Sequence, residues 1–326
     1  MQKSAIASLV HVRHLLKMVT IPFLDRSGAL GLANRFLDGE RRLVLNYHNV
    51  HPAIFQTHAA FFRRHMEVVD VETFLSMPPG RRVRPLVALT FDDGYASFVN
   101  EIVPILIEYG LPAVWFVPTA LVGTDEIFWF DRIRGAILQS QREEIVFQGR
   151  RWALRPWNRG YVATEISRII KKADHRQRDT LLLELVGEVG EVPELHLRRF
   201  RLATRDQLRS LDSRWITIGS HSHTHPQLSQ LSPDELVSEL VLSKKLLEEW
   251  IDRTVTHFAF PSGDYDPSVI EAIQESGYAF AWTTESRLFS SNENPYRLPR
   301  IPIDDQASIG ILRAKMTPLF YQLGVL

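Results

Sequence analysis

The chain has 326 residues, 45% of them hydrophobic and 23% charged, an ordinary globular composition with room for one large domain or two small ones. Its 38 basic and 38 acidic residues cancel, so nothing favours nucleic acid or broad attraction to an anionic surface. It has no cysteine, which excludes disulfides, thiolate nucleophiles and Cys-ligated zinc. Any metal must therefore sit on His, Asp or Glu, and twelve histidines are available.

Residues 1–40 are apolar in patches, broken by Lys3, Arg13, Lys17, Asp25 and Arg35. No run approaches the ~20 residues of a spanning helix. Ser4–Val12 has the length of a short h-region, but no small-x-small cleavage site follows it. The reading is one or two amphipathic helices that dock on the domain or touch a membrane surface peripherally, in a cytoplasmic protein. Arg42–Tyr47 reads as a strand ending at His48, and Pro85–Thr90 as another, followed by Phe91-Asp92-Asp93-Gly94. Ala96–Tyr109 carries helical periodicity closed by Gly110, and Pro112–Val117 is the next strand. Strand, helix, strand in that order implies parallel pairing across a helix.

The middle differs. Glu126–Ser140 reads as a helix, Glu144–Leu154 as a short hairpin and Tyr161–Val189 as a long charged amphipathic stretch, together a helical insertion over about 125–205. Alternation then resumes. Thr204 to Gln207 is a capping-box start, Trp215–Gly219 a strand, and Ser232-Pro233-Asp234-Glu235 a strong helix start. That helix continues to about Arg253. Val255–Phe260 and Tyr278–Thr283 are strands on either side of a helix at Pro267–Ser276, and 306–326 holds a last amphipathic helix over 306–324. Repeated βα units predict an α/β barrel or a doubly wound sheet over residues 41–305.

Three polar groups fall just past strand ends, where a parallel α/β fold places its site. They are Asp92-Asp93, the trio His221, His223 and His225, and His48. Adjacent carboxylates at a strand end point in different directions, so one can ligate a metal while the other faces a substrate. Gly94 permits the tight turn that follows. His221 and His225 share a face if their segment is helical, and all three histidines share a side if it is extended. Spacing alone leaves two or three ligands open. Two His and one carboxylate suit zinc or a first-row neighbour with a position left for water. Trp129, Phe130 and Asp131 offer either a stacking rim for a sugar or ordinary helical packing.

TFDDGY at Thr90–Tyr95 and HSHTHP at His221–Pro226 resemble the first two motifs of the NodB-type polysaccharide deacetylases, carbohydrate esterase family 4. The resemblance covers roughly residues 42–305. It implies a distorted (β/α) barrel and a metal-dependent N-deacetylase acting on the N-acetylated hexosamines of a polysaccharide or its lipid-linked precursor. By the same resemblance Asp92 is the general base, Asp93, His221 and His225 hold the metal, and His223 occupies a variable position. Zinc comes first among the metals, before cobalt, nickel or manganese. Tyr95 would supply a backbone N–H to the oxyanion, and Pro261 and Trp282 would wall the acetyl pocket.

The later motifs depart from the family pattern. Ala259, in Phe258–Gly263, stands where an R-x-P arginine orients the base, and Arg300 is the candidate to replace it in space. The family's late histidine has no counterpart after His257. VLNYHNV at Val44–Val50, however, is similar to the segment that opens the circularly permuted PgaB and IcaB type of poly-N-acetylglucosamine deacetylase, which makes His48 the general acid. A small-molecule amide hydrolase and a catalytically inactive glycan-binding protein are the two rival readings.

Overall fold

The computed structural model describes residues 41–317 except 79, 81, 174, 191–196 and 291. The expected N-terminal helices and the end of the chain lie outside the described residues.

In chain order the elements are β1 (Arg42–Tyr47), α1 (Pro52–His65), β2 (Glu67–Val68), α2 (Val71–Ser76), β3 (Leu86–Phe91), a π turn (Phe98–Ile102) running into α3 (Val103–Tyr109), and β4 (Ala113–Val117). The insertion follows with α4 (Trp129–Gln139), the hairpin β5 (Glu144–Phe147) and β6 (Arg150–Ala153), α5 (Arg159–Lys171) and α6 (His175–Val189). The alternation closes with α7 (Arg205–Ser210), β7 (Ile216–Ser220), α8 (Pro233–Ile251), β8 (His257–Ala259), α9 (Pro267–Glu275), β9 (Phe280–Trp282), β10 (Ile301–Pro302) and α10 (Ile309–Lys315).

Eight strands form one parallel sheet in the order β10-β1-β3-β4-β7-β8-β9, with β2 on β3. Every residue of β1 and of β3 is buried, as expected of parallel strands covered on both faces. The run Leu298–Ile303 joins the two ends of that order. The Leu298 amide donates to Ala281 O at 2.9 Å, and the Thr283 amide to Leu298 O at 2.8 Å. Three residues on, Ile301 pairs with Leu45, and the Ile303 amide donates to Asn46 O at 2.8 Å. One short segment thus meets β9 with its first residue and β1 with its last. The barrel closes there, and Arg300 lies in the seam. Inside it, Val44, Ala88, Val114, Phe116, Ala259 and Trp282 pack as one cluster. Gly219 is required by this packing, because a Cβ on it would lie 2.6 Å from the Phe116 ring.

Three helices differ from expectation. Ala96–Tyr109 is interrupted by a π turn at Phe98–Ile102 because Pro104 has no N–H to donate back along the helix, which loosens the turn before it. Tyr161–Val189 is two helices, with the Lys172 and Ala173 amides closing on Ile169 O and Ile170 O at 3.2 and 3.1 Å. The last helix spans Ile309–Lys315, shorter than 306–324. Ser232 and Glu235 form the expected capping box of α8, and Gly110 ends α3 at φ 67°.

The chain divides into two compact units. β1–β4 and β7–β10 belong to one. Gly123–Thr204 with Tyr95–Ser97 form the other, around a core of Ile133, Ile137, Phe147, Trp152, Ile166 and Ile170.

Candidate active site

β3 ends in Phe91, and the Asp92 amide continues the ladder by donating to Tyr47 O at 2.9 Å. The chain then turns sharply. Asp93 takes φ 73° and Gly94 φ 68°, a conformation aspartate tolerates better than most residues. A Cβ at Gly94 would also press on Val117 Cγ1 and Pro118 Cδ at 3.1 and 3.2 Å. This reversal sends the two carboxylates apart, Asp92 toward β1 and Asp93 toward the loop after β7.

That loop is neither of the two shapes weighed from sequence. Ser222 and His225 both sit in the left-handed region, at φ 64° and 61°, so the segment is irregular and carries His221 and His225 to one point. Asp93 Oδ1 lies 3.6 Å from His221 Nε2 and 3.5 Å from His225 Nε2. The ligand atoms of Asp93, His221 and His225 all lie within 4.8 Å of one another, the one such cluster among the described residues. His223 turns away, its Nδ1 at 2.7 Å from Thr119 Oγ1. Two histidines converge, not three.

The donor chemistry fits a divalent cation. His221 Nδ1 donates to Ala259 O at 2.7 Å, which fixes the tautomer and leaves the Nε2 lone pair facing Asp93. Two ligands at zinc-like bond lengths and a tetrahedral angle are about 3.4 Å apart, close to the spacing found. Burial, then His221, pushes the His225 ring down to about 4 against the pull of Asp93 and Asp92, so it offers a neutral nitrogen. Burial pushes Asp93 upward, but the His221 contact and the neighbouring imidazoles outweigh it and hold the carboxyl well below the usual range. These are the protonation states a cation requires.

Asp92 sits in a second, separate network. Arg300 Nη1 donates to Oδ1 at 2.7 Å and Nη2 to Oδ2 at 3.0 Å, while Asn46 Nδ2 donates to Oδ2 at 2.9 Å. Asn46 Oδ1 accepts from Arg300 Nη1 and Thr90 Oγ1 at 3.2 and 3.1 Å, which settles its amide orientation. Arg300 is fully buried, gives its Nε–H to Thr283 O at 2.9 Å, and lies 5.3 Å from the Phe116 ring centroid. Burial pushes Asp92 upward, but Arg300, then His221 and His48, offset it by more and keep the carboxyl ionised. An ionised carboxylate offers about four acceptor positions, and three are filled here. One remains. His48 Nε2 stands 3.9 Å from Asp92 Oδ2, with 41% of its side chain exposed.

The remaining expected residues fall as follows. The Tyr95 phenol donates to Asp131 Oδ2 at 2.8 Å in the second unit, which leaves only its backbone for chemistry. Pro261 is buried at the start of a 3₁₀ turn. Trp282 is fully buried in the core and donates its indole N–H to His257 Nδ1 at 3.2 Å. Trp129 packs against the insertion core, and Phe130 stacks on Phe128 with centroids 4.9 Å apart. Sequence reasoning missed Asn46, Thr90 and the Ala259 carbonyl. The signal for the first two was their polarity at fully buried positions of β1 and β3, facing each other in register.

The fold is a distorted (β/α) barrel with carboxylates and imidazoles gathered past the ends of its strands. Comparison with known proteins then places it. The polysaccharide deacetylase family model matches residues 80–281, more than half of the chain, and the chain belongs to that family. Its members are hydrolases acting on N-acetyl amide bonds. YxkH of Bacillus subtilis (strain 168) is 30% identical over 100 residues, 31% of this chain and 36% of that protein, so the chain spans about a third of that relative's length. Among solved structures, the Streptococcus pyogenes deacetylase PplD in complex with acetate is 18% identical at a TM-score of 0.57, covering 86% of this chain and 100% of the other. IcaB from Ammonifex degensii is 16% identical at a TM-score of 0.56, covering 86% and 98%. Both share the NodB-type barrel.

Proposed function

We propose that this chain is a metal-dependent N-deacetylase that removes acetyl groups from the N-acetylated hexosamines of a polysaccharide or its lipid-linked precursor. The observation that carries this reading is the pair of adjacent carboxylates at the end of β3. One meets two neutral imidazole nitrogens within 3.6 Å, while the other is held ionised by a bidentate arginine.

Asp93, His221 and His225 would hold the cation, with zinc preferred on the donor set. When bound, it would supply a Lewis acid that polarises an acetamide carbonyl and acidifies a water. Asp92 keeps one acceptor position for the proton of that water, and Arg300 and Asn46 fix the direction from which it is taken. His48 is half-exposed beside Asp92, where it can hand a proton to the departing amine, which without it would recapture the acetyl group. Each such transfer is worth about 10²–10⁴-fold. The Tyr95 amide, next in chain to Gly94, is the proposed oxyanion donor.

The test is amine release from N-acetylglucosamine oligomers and lipid-linked N-acetylated sugars, with and without chelator. Asp92→Asn should retain metal and lose most activity, whereas His221→Ala should lose both. A metal-free Asp92→Asn protein, or activity indifferent to chelator, would refute the assignment.

A further inference from the structure

Between the two proposed metal ligands on the loop after β7 lie His223 and Thr224, and both backbone amides point at one carboxylate oxygen. His223 N–H and Thr224 N–H each donate to Glu239 Oε2 at 2.8 Å, and Thr224 Oγ1 donates to Glu239 Oε1 at 2.5 Å. Glu239 belongs to α8, so the clamp reaches back 15 and 16 residues onto the loop. Three donors on one carboxylate is more than a solvent-facing helical glutamate acquires by accident.

The loop needs such a clamp. Ser222 and His225 both hold positive φ, where a side chain costs about 1–2 kcal/mol per residue. The clamped amides lie between those two strained positions. His221 is secured independently, its amide donating to Val117 O at 3.1 Å and its ring to Ala259 O at 2.7 Å. The His225 amide donates to Ser222 Oγ at 3.1 Å, a contact internal to the same strained loop.

From this geometry we infer that Glu239 is a positioning residue for metal binding, one that fixes His225 against Asp93 by clamping the loop between His221 and His225. The inference rests on the deacetylase reading above.

The test measures zinc affinity of the full chain by competition with a chromophoric chelator, alongside kcat at saturating zinc and the melting temperature of the metal-free protein. Glu239→Ala should weaken zinc binding about 10- to 100-fold, the range for lost outer contacts to a metal site. Its kcat at saturating zinc should return close to the wild-type value. Glu239→Gln keeps an oxygen for the two amides, and Thr224→Val removes only the hydroxyl contact, so both should fall between wild type and Glu239→Ala. Either keeps the idea testable if the alanine variant does not fold. Ser232→Ala, which breaks the capping box of the same helix, should lower the melting temperature and leave zinc affinity unchanged. Equal affinity in wild type and Glu239→Ala would overturn the inference alone, as would an equal loss in Ser232→Ala. A wild-type chain that takes up no zinc would overturn the proposed function as well.

Discussion

Arg300 and Asp92 are 208 residues apart in sequence and meet in the barrel interior as a two-pronged ion pair, at 2.7 and 3.0 Å. The arginine comes from the segment that joins β9 to β1, so the residue that orients the proposed base also sits in the barrel's closing seam. Where the family's R-x-P arginine is expected, this chain has Ala259, whose carbonyl instead orients the His221 ring. Removing one partner of a buried pair leaves an uncompensated charge and costs about 3–5 kcal/mol. Arg300→Met should therefore lower stability by that amount in denaturant titrations. Arg300→Lys should recover only part of it, since an ammonium cannot span both oxygens.

The same variant moves the pH dependence in a defined direction. Burial raises Asp92, and Arg300 is the first of the groups that lower it. Without Arg300, burial wins and the folded-state value rises. A base that must be ionised then fails at higher pH, so the acid limb of the rate profile should shift toward neutral pH in Arg300→Met. A profile with an unmoved acid limb would mean that Asp92 is not the group titrating there.

His48 is reached from solvent and stands 3.9 Å from Asp92. His48→Ala should lower kcat by about 10²–10⁴-fold with zinc content unchanged. Being half-exposed, it should alter stability by no more than about 0.5 kcal/mol. A variant that keeps the wild-type kcat would remove His48 from the role of acid.

The site was legible in sequence where chemistry and strand end coincide. TFDDGY closes a continuous apolar run, and the histidine motif follows WITIG, so both could be placed at strand ends before any coordinates. Arg300 was reachable only by elimination, because β10 is two residues long and carries no periodicity. The ladder that closes the barrel through Leu298 and Ile301 was invisible for the same reason. The loop conformation was misjudged in both alternatives considered, since paired left-handed residues at Ser222 and His225 follow from tertiary contacts and not from local preference. Asn46 shows the converse. A polar side chain at a fully buried strand position had to have a buried partner.

Trp282 separates two roles that sequence could not. Its indole N–H donates to His257 Nδ1, so His257 Nε2 must carry the proton that goes to Glu72 Oε1 at 3.0 Å. Trp282→Phe keeps the ring packing but leaves the buried His257 nitrogen without a donor, a loss of about 1–3 kcal/mol in stability. If the indole serves the core, KM for N-acetylglucosamine oligomers should stay at the wild-type value. A rise in KM with stability unchanged would instead place the ring on the acetyl pocket.

His58 should make the metal-free chain acid-sensitive above the range where carboxylates titrate. It is fully buried, with Nε2 donating to Ala307 O at 2.9 Å and Nδ1 accepting from the Tyr47 hydroxyl at 3.1 Å. Burial pushes the ring down to about 4, against the opposing pull of the Ala307 carbonyl. A histidine lowered on folding binds its proton more readily in the unfolded chain. Its contribution is therefore fully present above about 6.5 and is lost as pH falls toward 4. Between pH 7 and pH 5 the loss amounts to about 2 kcal/mol. Urea titrations at the two pH values should show that loss in the wild-type chain. His58→Gln should start less stable at pH 7, because it cannot keep both bonds, yet lose about 2 kcal/mol less on going to pH 5. If the two proteins fall in parallel, the acid sensitivity belongs to other groups and His58 is not buried as a neutral ring.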